Sequence, residues 1–219
     1  EIYTLSLPGT PPILLNNGAD PVSVSANGSF TFPTAVANGA SYAVTVGTQP
    51  AGQNCTVANG NGTASANVTN VAVSCLTTTL SGSTSTGTGT ASATLSGGGA
   101  ACGFTSGSFA ATPAAAAPAG VSFPHGFLSF TAGSCPAVSG AVTFTVTYPN
   151  AIPAGAQYYK YGKEPGNPVN HYYTIPATIS GNQVTFTITD GQIGDDDVTA
   201  NGTIIDPGAI GIMNAGGSN

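Results

Sequence analysis

The period of its hydrophobicity constrains this chain most. In Val142-Thr-Phe-Thr-Val-Thr147, and again in Gln183-Val-Thr-Phe-Thr-Ile188, an apolar side chain stands at every second position with threonine between. A period of two sorts side chains onto opposite faces of an extended strand, whereas a helix needs a period near 3.6. Ser41–Val46 and Thr90–Leu95 repeat the pattern, Phe127–Phe130, Gln157–Tyr161 and His171–Ile175 read as further strands, and Cys55–Val57 and Val71–Cys75 supply shorter runs. Turn chemistry separates them: Asn16-Asn17-Gly18, Gln49-Pro50 and Ser180-Gly181-Asn182, where Asn and Gly tolerate positive φ and Pro ends a ladder. Val22–Ser25 and Ser29–Phe32 flank Ala26-Asn27-Gly28 and read as a hairpin. No stretch combines helical periodicity with a cap. The prediction is an all-β chain of two β-sandwich, immunoglobulin-like modules in tandem with essentially no helix.

The 219 residues suffice for two cores. Leu76 to Gly99 is rich in Ser, Thr and Gly, a linker composition, yet Thr90–Leu95 alternates. The predicted division is therefore a first module over 1–76, a linker over 77–87 and a second module over 88–219. Ala110 to Gly120 reads as a proline-punctuated loop.

The four cysteines, Cys55, Cys75, Cys102 and Cys135, allow three pairings. Local closure favours Cys55–Cys75 and Cys102–Cys135, one bridge per module, with roughly 3–4 kcal/mol expected from each in the chain-entropy model. No CxxC spacing or Cys/His cluster suggests zinc. Disulfides with so few charges indicate an oxidising, extracellular location.

Charged residues make up 5% of the chain, against about a quarter in ordinary globular proteins. Hydroxyls and amides must carry solubility. Lys160 and Lys163 are the only basic residues apart from histidine, so no surface can neutralise a phosphate backbone and nucleic acid is excluded as a partner. No apolar run approaches the roughly 20 residues of a membrane helix. No secretion signal remains at Glu1, as expected of a mature exported chain.

Most of the distinctive chemistry falls between Gly120 and Gly208. Asp190, Asp195, Asp196 and Asp197 share one turn with Gly191 and Gly194. Oxygen-rich turns of this kind bind calcium, making these four the candidate metal ligands and calcium the one candidate cofactor. The competing reading has the carboxylates pairing with Lys160 and Lys163 or capping amides, so that they order the strand ending at Thr189 against Asn201-Gly-Thr-Ile-Ile. His125 and His171 read as hydrogen-bonded residues beside aromatics, not as a metal pair. Tyr158, Tyr159, Tyr161, Tyr172 and Tyr173 read either as cross-strand pairs or as a sugar-stacking platform. Nothing has the pattern of a nucleophile elbow, a zinc protease helix or a phosphate loop; a catalytic function is not expected. Asn27, Asn54, Asn61, Asn67 and Asn201 begin Asn-x-Ser/Thr sequons, candidate glycan sites, although turn chemistry explains them equally.

Two family resemblances accompany this reading. Ile13-Leu-Leu-Asn-Asn-Gly, Ala26-Asn-Gly-Ser-Phe-Thr-Phe, Tyr42-Ala-Val-Thr-Val, Thr48-Gln-Pro and Cys55-Thr-Val-Ala-Asn-Gly, continuing to Cys75, resemble an immunoglobulin-like repeat of bacterial surface proteins. From Cys102 to Gly208, Phe123-Pro-His-Gly, Tyr148-Pro, Lys160-Tyr-Gly, His171-Tyr-Tyr, Val184-Thr-Phe-Thr-Ile-Thr-Asp-Gly, Gly194-Asp-Asp-Asp and Thr199-Ala-Asn-Gly-Thr-Ile-Ile-Asp-Pro-Gly closely resemble the "choice-of-anchor U" module. The resemblance implies a spacer-like surface protein whose module precedes a variable anchoring tail; Ala209–Asn219 carries no hydrophobic helix or basic stop.

The function expected from these readings is structural: the repeating subunit of an extracellular bacterial surface filament, its only partner a further copy of itself. A monomeric wall-attached spacer or adhesin, or a carbohydrate-binding module engaging surface glycans, is the alternative. In the filament reading Ile2, Tyr3, Leu5 and Leu7 form a donated strand set apart by Pro8-Gly9-Thr10-Pro11-Pro12, with Ile210 and Ile212 a shorter counterpart at the other end. Residues 2 to 7 as the first strand of their own sandwich is the competing reading.

Overall fold

The structure, a computed structural model, describes residues 10–25, 30–111 and 115–214. The candidate donor strand (Ile2, Tyr3, Leu5, Leu7), Asn27 and its turn lie outside them. The chain is all-β apart from one 3-10 turn at Ala137–Ser139 among the described residues. It divides into two compact units, Glu1–Thr77 and Thr78–Asn219.

The first unit carries β1 (Ile13–Asn16), β2 (Ala19–Ser23), β3 (Ser41–Thr48), β4 (Gln53–Ala58), β5 (Asn61–Thr63) and β6 (Ala72–Thr77). An antiparallel sheet runs in the order β2-β1-β3-β5. Its first hairpin turns on Asn17 and Gly18, both at positive φ (50° and 73°), the primed geometry whose twist suits a two-residue connection. β4 and β6 pair in register with Cys55 opposite Cys75, and these two are bonded. Leu14, Val44 and both half-cystines are buried. The predicted strand over Ser29–Phe32 is not found at 30–32. Pro33 cannot donate to a ladder, and Thr34 is held instead by Asp20, whose carboxylate accepts from the Thr34 N–H (3.1 Å) and hydroxyl (3.0 Å).

The second unit begins in the predicted linker. Residues 77–87 are not a flexible spacer: Thr79–Ser83 is a strand, β7, paired residue for residue with β8 (Thr90–Gly97). Composition misled here because Leu80 packs on the core through a gap that side-chain-less Gly107 leaves open. The remaining strands are β9 (Gly103–Ala111), β10 (Val121–Ser122), β11 (Phe127–Gly133), β12 (Val142–Thr147), β13 (Gln157–Glu164), β14 (Asn167–Ile175), β15 (Ala177–Ser180), β16 (Gln183–Ile188) and β17 (Ile204–Met213).

Within this unit one sheet runs β14-β13-β17-β11-β9, with β10 also pairing β17, and the other runs β15-β16-β12-β8-β7. Their facing residues make one core, Phe104, Phe130, Tyr158, Ile204 and Ile210 against Leu95, Val142, Phe144, Val184 and Phe186. Rings meet across the gap: Phe130–Phe144 at 4.6 Å and Tyr158–Phe186 at 4.2 Å between centroids. This is a β-sandwich. Cys102 and Cys135 are bonded and fully buried beside it. Ile210 and Ile212, read as a terminal donor, belong to β17, where Ile210 is opposite Tyr158 of β13 and Ile212 opposite Ser122 of β10. They are internal because β17 is the central strand of its sheet.

Candidate functional site

Gly191 and Gly194 give the acidic turn its shape, both at positive φ, with the Ala200 backbone standing where a side chain on Gly191 would go. The carboxylates face peptide N–H groups. Asp190, buried, accepts from Gly202 N (2.8 Å), Asn201 N (3.3 Å) and Ala137 N (3.3 Å). Asp195, also buried, accepts from Gly191 N (2.8 Å) and Ile205 N (3.0 Å). Asp196 accepts from Lys163 N (2.6 Å), and Asp197 from Thr199 N (2.8 Å) and Asn201 Nδ2 (2.9 Å). A calcium ion would need these oxygens to converge on one point; instead each carboxylate closes a different part of the backbone. Among the described residues no group of three or more His, Cys, Asp or Glu is arranged to hold a metal. The turn thus ties the end of β16 to the start of β17.

Asp195 titrates in an accessible range. Burial pushes its carboxyl up to about 6, against the pull of the Gly191 and Ile205 amides. A folded-state pKa above the unfolded value of about 3.9 means the folded chain binds more protons in between, so this group's contribution falls as pH rises. Stability should decline between about pH 4 and 6 by an amount on the order of 2 kcal/mol, and Asp195→Asn should flatten that slope. Denaturation midpoints at several pH values check this; equal slopes in both proteins would refute it.

The neighbouring feature was not anticipated. Lys160 on β13 and Asp206 on β17 form an ion pair with no solvent exposure of either side chain. Lys160 is opposite Gly208, so Asp206 is its diagonal neighbour on the same face of β17. Lack of a side chain on Gly208 lets the Tyr158 hydroxyl in, and that hydroxyl donates to Asp206 Oδ2 (3.4 Å). Phe130 on β11 is the cross-strand partner of Asp206. The Tyr148 hydroxyl is buried without a hydrogen-bond partner among the described residues. Burial pushes the Lys160 ammonium down and the Asp206 carboxyl up, each toward its neutral form, with mutual attraction opposing. The signal in the sequence was positional: Lys160 shares a strand face with Tyr158, and Asp206 stands between Ile204 and Gly208 on the inward face of β17.

The five tyrosines divide between the two faces of the β13–β14 hairpin. Tyr158 and Tyr173 face inward with Lys160, and the Tyr173 hydroxyl donates to the Lys163 carbonyl (3.0 Å). Tyr159, Tyr161 and Tyr172 lie on the outer face, where Tyr172 stacks on Phe123 (5.7 Å, 18°) and donates to the Ala115 carbonyl (2.9 Å). Phe123 and Phe127 fill the rest. The rings thus pack on one another as a small outer core.

His125 is buried, stacks on Tyr148 (4.7 Å) and lies 2.9 Å from the Thr88 hydroxyl. His171 instead donates to the Val169 carbonyl (2.8 Å) and pairs with Glu164 (3.0 Å), both side chains partly exposed, with its ring beside Tyr173. The two histidines do not share a site. Asn61, Asn67 and Asn201 are exposed and Asn54 is half-buried; Asn201 also accepts from Thr203 N (2.8 Å), a turn contact.

No protein-family model matches the chain, and neither a curated protein nor a solved structure is significantly similar to it.

Proposed function

We propose that this chain is an extracellular structural protein, the repeating subunit of a bacterial surface filament whose copies join head to tail by β-strand donation. The observation that carries the reading is β14, nine residues long, at the end of its sheet. An edge strand presents unpaired backbone groups, and an incoming strand satisfies them while its alternate side chains dock. Pro168, and the side chains of Asn167 and His171 that take up the Val169 N–H and carbonyl, guard one end of this edge, leaving Asn170–Ile175 for a partner. Glu1–Leu7 has the alternation that such a donor requires.

Further support comes from how the reactive groups are used. The carboxylates cap amides, the rings pack on rings and the lysine and aspartate pair internally, so polar chemistry serves the fold. Two disulfides suit an oxidising, extracellular location, and among the described residues no helix is long and apolar enough to cross a membrane. The resemblance to surface-protein modules points the same way. A donor–acceptor contact between different surfaces does not close on itself and propagates as a fibre.

Deleting Glu1–Leu7 is expected to leave folded monomers that no longer form filaments, judged by electron microscopy and sedimentation. A peptide of that sequence, added in excess to the full chain, should cap growth. Filaments unaffected by both would exclude the N-terminal donor. A full-length chain that stays monomeric would favour the wall-attached spacer.

A further inference from the structure

The geometry points to a covalent bond in the second unit: an isopeptide between Lys160 Nζ and Asp206 Cγ, cross-linking β13 to β17. The inference does not rest on the filament reading.

Both side chains are wholly shielded from solvent, and Lys160 Nζ is in direct contact with Asp206 Oδ1. An ammonium has three donors, yet among the described residues Nζ has one acceptor, Asp206 Oδ1. Rings and aliphatic chains wall the rest of the site: Tyr158, Phe130, Ile204 and Ile210 are buried around it. In such surroundings an incompletely hydrogen-bonded ion pair is a poor way to hold two charges, and the neutral amine and neutral carboxylic acid are the forms that burial favours. Those are the reactants of amide formation. The two strands hold them together, so no entropy remains to be lost on encounter. Exclusion of water removes the competing hydrolysis.

The step balances without a cofactor. The Nζ lone pair attacks Cγ of the protonated Asp206 carboxyl and a C–N bond forms. Tyr158 Oη, donating to Oδ2, stabilises the negative charge that develops on that oxygen. The bond from Cγ to the other oxygen then breaks, the departing hydroxyl takes one proton from Nζ, and a water molecule leaves. Carbon and nitrogen keep their oxidation states. Asp195 and Asp196 lie close enough to favour a positive charge on Lys160. Asp196 stands over Gly162, where any side chain would displace it; both carboxylates already accept backbone N–H groups, so neither is assigned a role in the step.

The chain's base composition makes the test simple. It has two Lys and Arg residues in all, Lys160 and Lys163, and both disulfides lie on the N-terminal side of them. The full-length folded protein is denatured, reduced, weighed intact and digested with trypsin. The expected intact mass is one water short of the sequence mass. Trypsin should fail to cut after Lys160, and residues 164–219 should stay joined to the segment ending at Lys163 as one branched product, with tandem fragmentation placing the link at Lys160 and Asp206. In Asp206→Ala the same treatment should release residues 164–219 from the rest, whether or not the variant folds. Wild-type protein of full sequence mass, separating into 1–160 and 164–219, overturns the inference. So does a water deficit without joined fragments, which would place a cyclised aspartate or glutamate elsewhere.

Discussion

Replacing Lys160 with methionine is expected to lower the unfolding free energy by about 3–5 kcal/mol at neutral pH, the usual cost of removing one partner from a buried pair. Methionine fills much of the space that the lysine stem occupies, so packing loss is the smaller part. The larger part is Asp206, left with no exposure and, among the described residues, only the Tyr158 hydroxyl as side-chain partner. Such a carboxyl holds its proton well above the unfolded value of about 3.9. The folded variant therefore binds more protons than the unfolded chain over a wide range, and its stability should fall as pH rises from about 4. Loss of the cross-link adds to the deficit at every pH, because the strands it joins are 46 residues apart. The double variant Lys160→Met, Asp206→Leu separates these contributions: it should recover the pH-dependent part and leave the rest. Denaturant titration of the full chain at pH 4.5 and 7.5 reads all three proteins. A single variant as stable as the parent at both pH values would show that the pair contributes nothing.

Strands were legible where the alternation was strict. Val142–Thr147 and Gln183–Ile188 were read with the bounds that β12 and β16 have, because apolar side chains at every second position leave one face to bury. Strand β9 was missed: Gly103 and Gly107 interrupt its pattern, and its ladder to β11 is irregular. β7 was hidden in a linker-like composition, and the expected strand at 29–32 was absent at 30–32 since Pro33 and the Asp20–Thr34 contact compete with the ladder. The same split runs through the candidate site. Asp190 to Asp197 could be read as an ordering turn because glycines and carboxylates act within a few residues of each other. The Lys160–Asp206 contact could not, because it exists only once β13 and β17 are in register. The position of a charge on the inward face of a strand signals its burial but not which residue it meets.

Phe144→Ala tests the core that this register builds, with an expected loss of about 3–5 kcal/mol. Phe144 stands mid-strand in β12, hydrogen-bonded to β8 on one side and β16 on the other. It is 1% exposed, and its ring meets Phe130 at 4.6 Å, Phe186 at 5.6 Å and Phe104 at 6.1 Å. Phe130 and Phe104 belong to the opposite sheet, so truncation opens a void between the layers that neither can close without leaving its own ladder. The adjacent residue is the control. Thr143 has the same strand neighbours but points to the other face, half-buried, and Thr143→Ala should change stability by no more than about 0.5 kcal/mol. Chemical denaturation of the two variants compares opposite faces of one strand at a single step along the chain. A Thr143 variant as damaged as the Phe144 variant would mean that β12 is buried on both faces, and the second unit would then not be a two-layer sandwich.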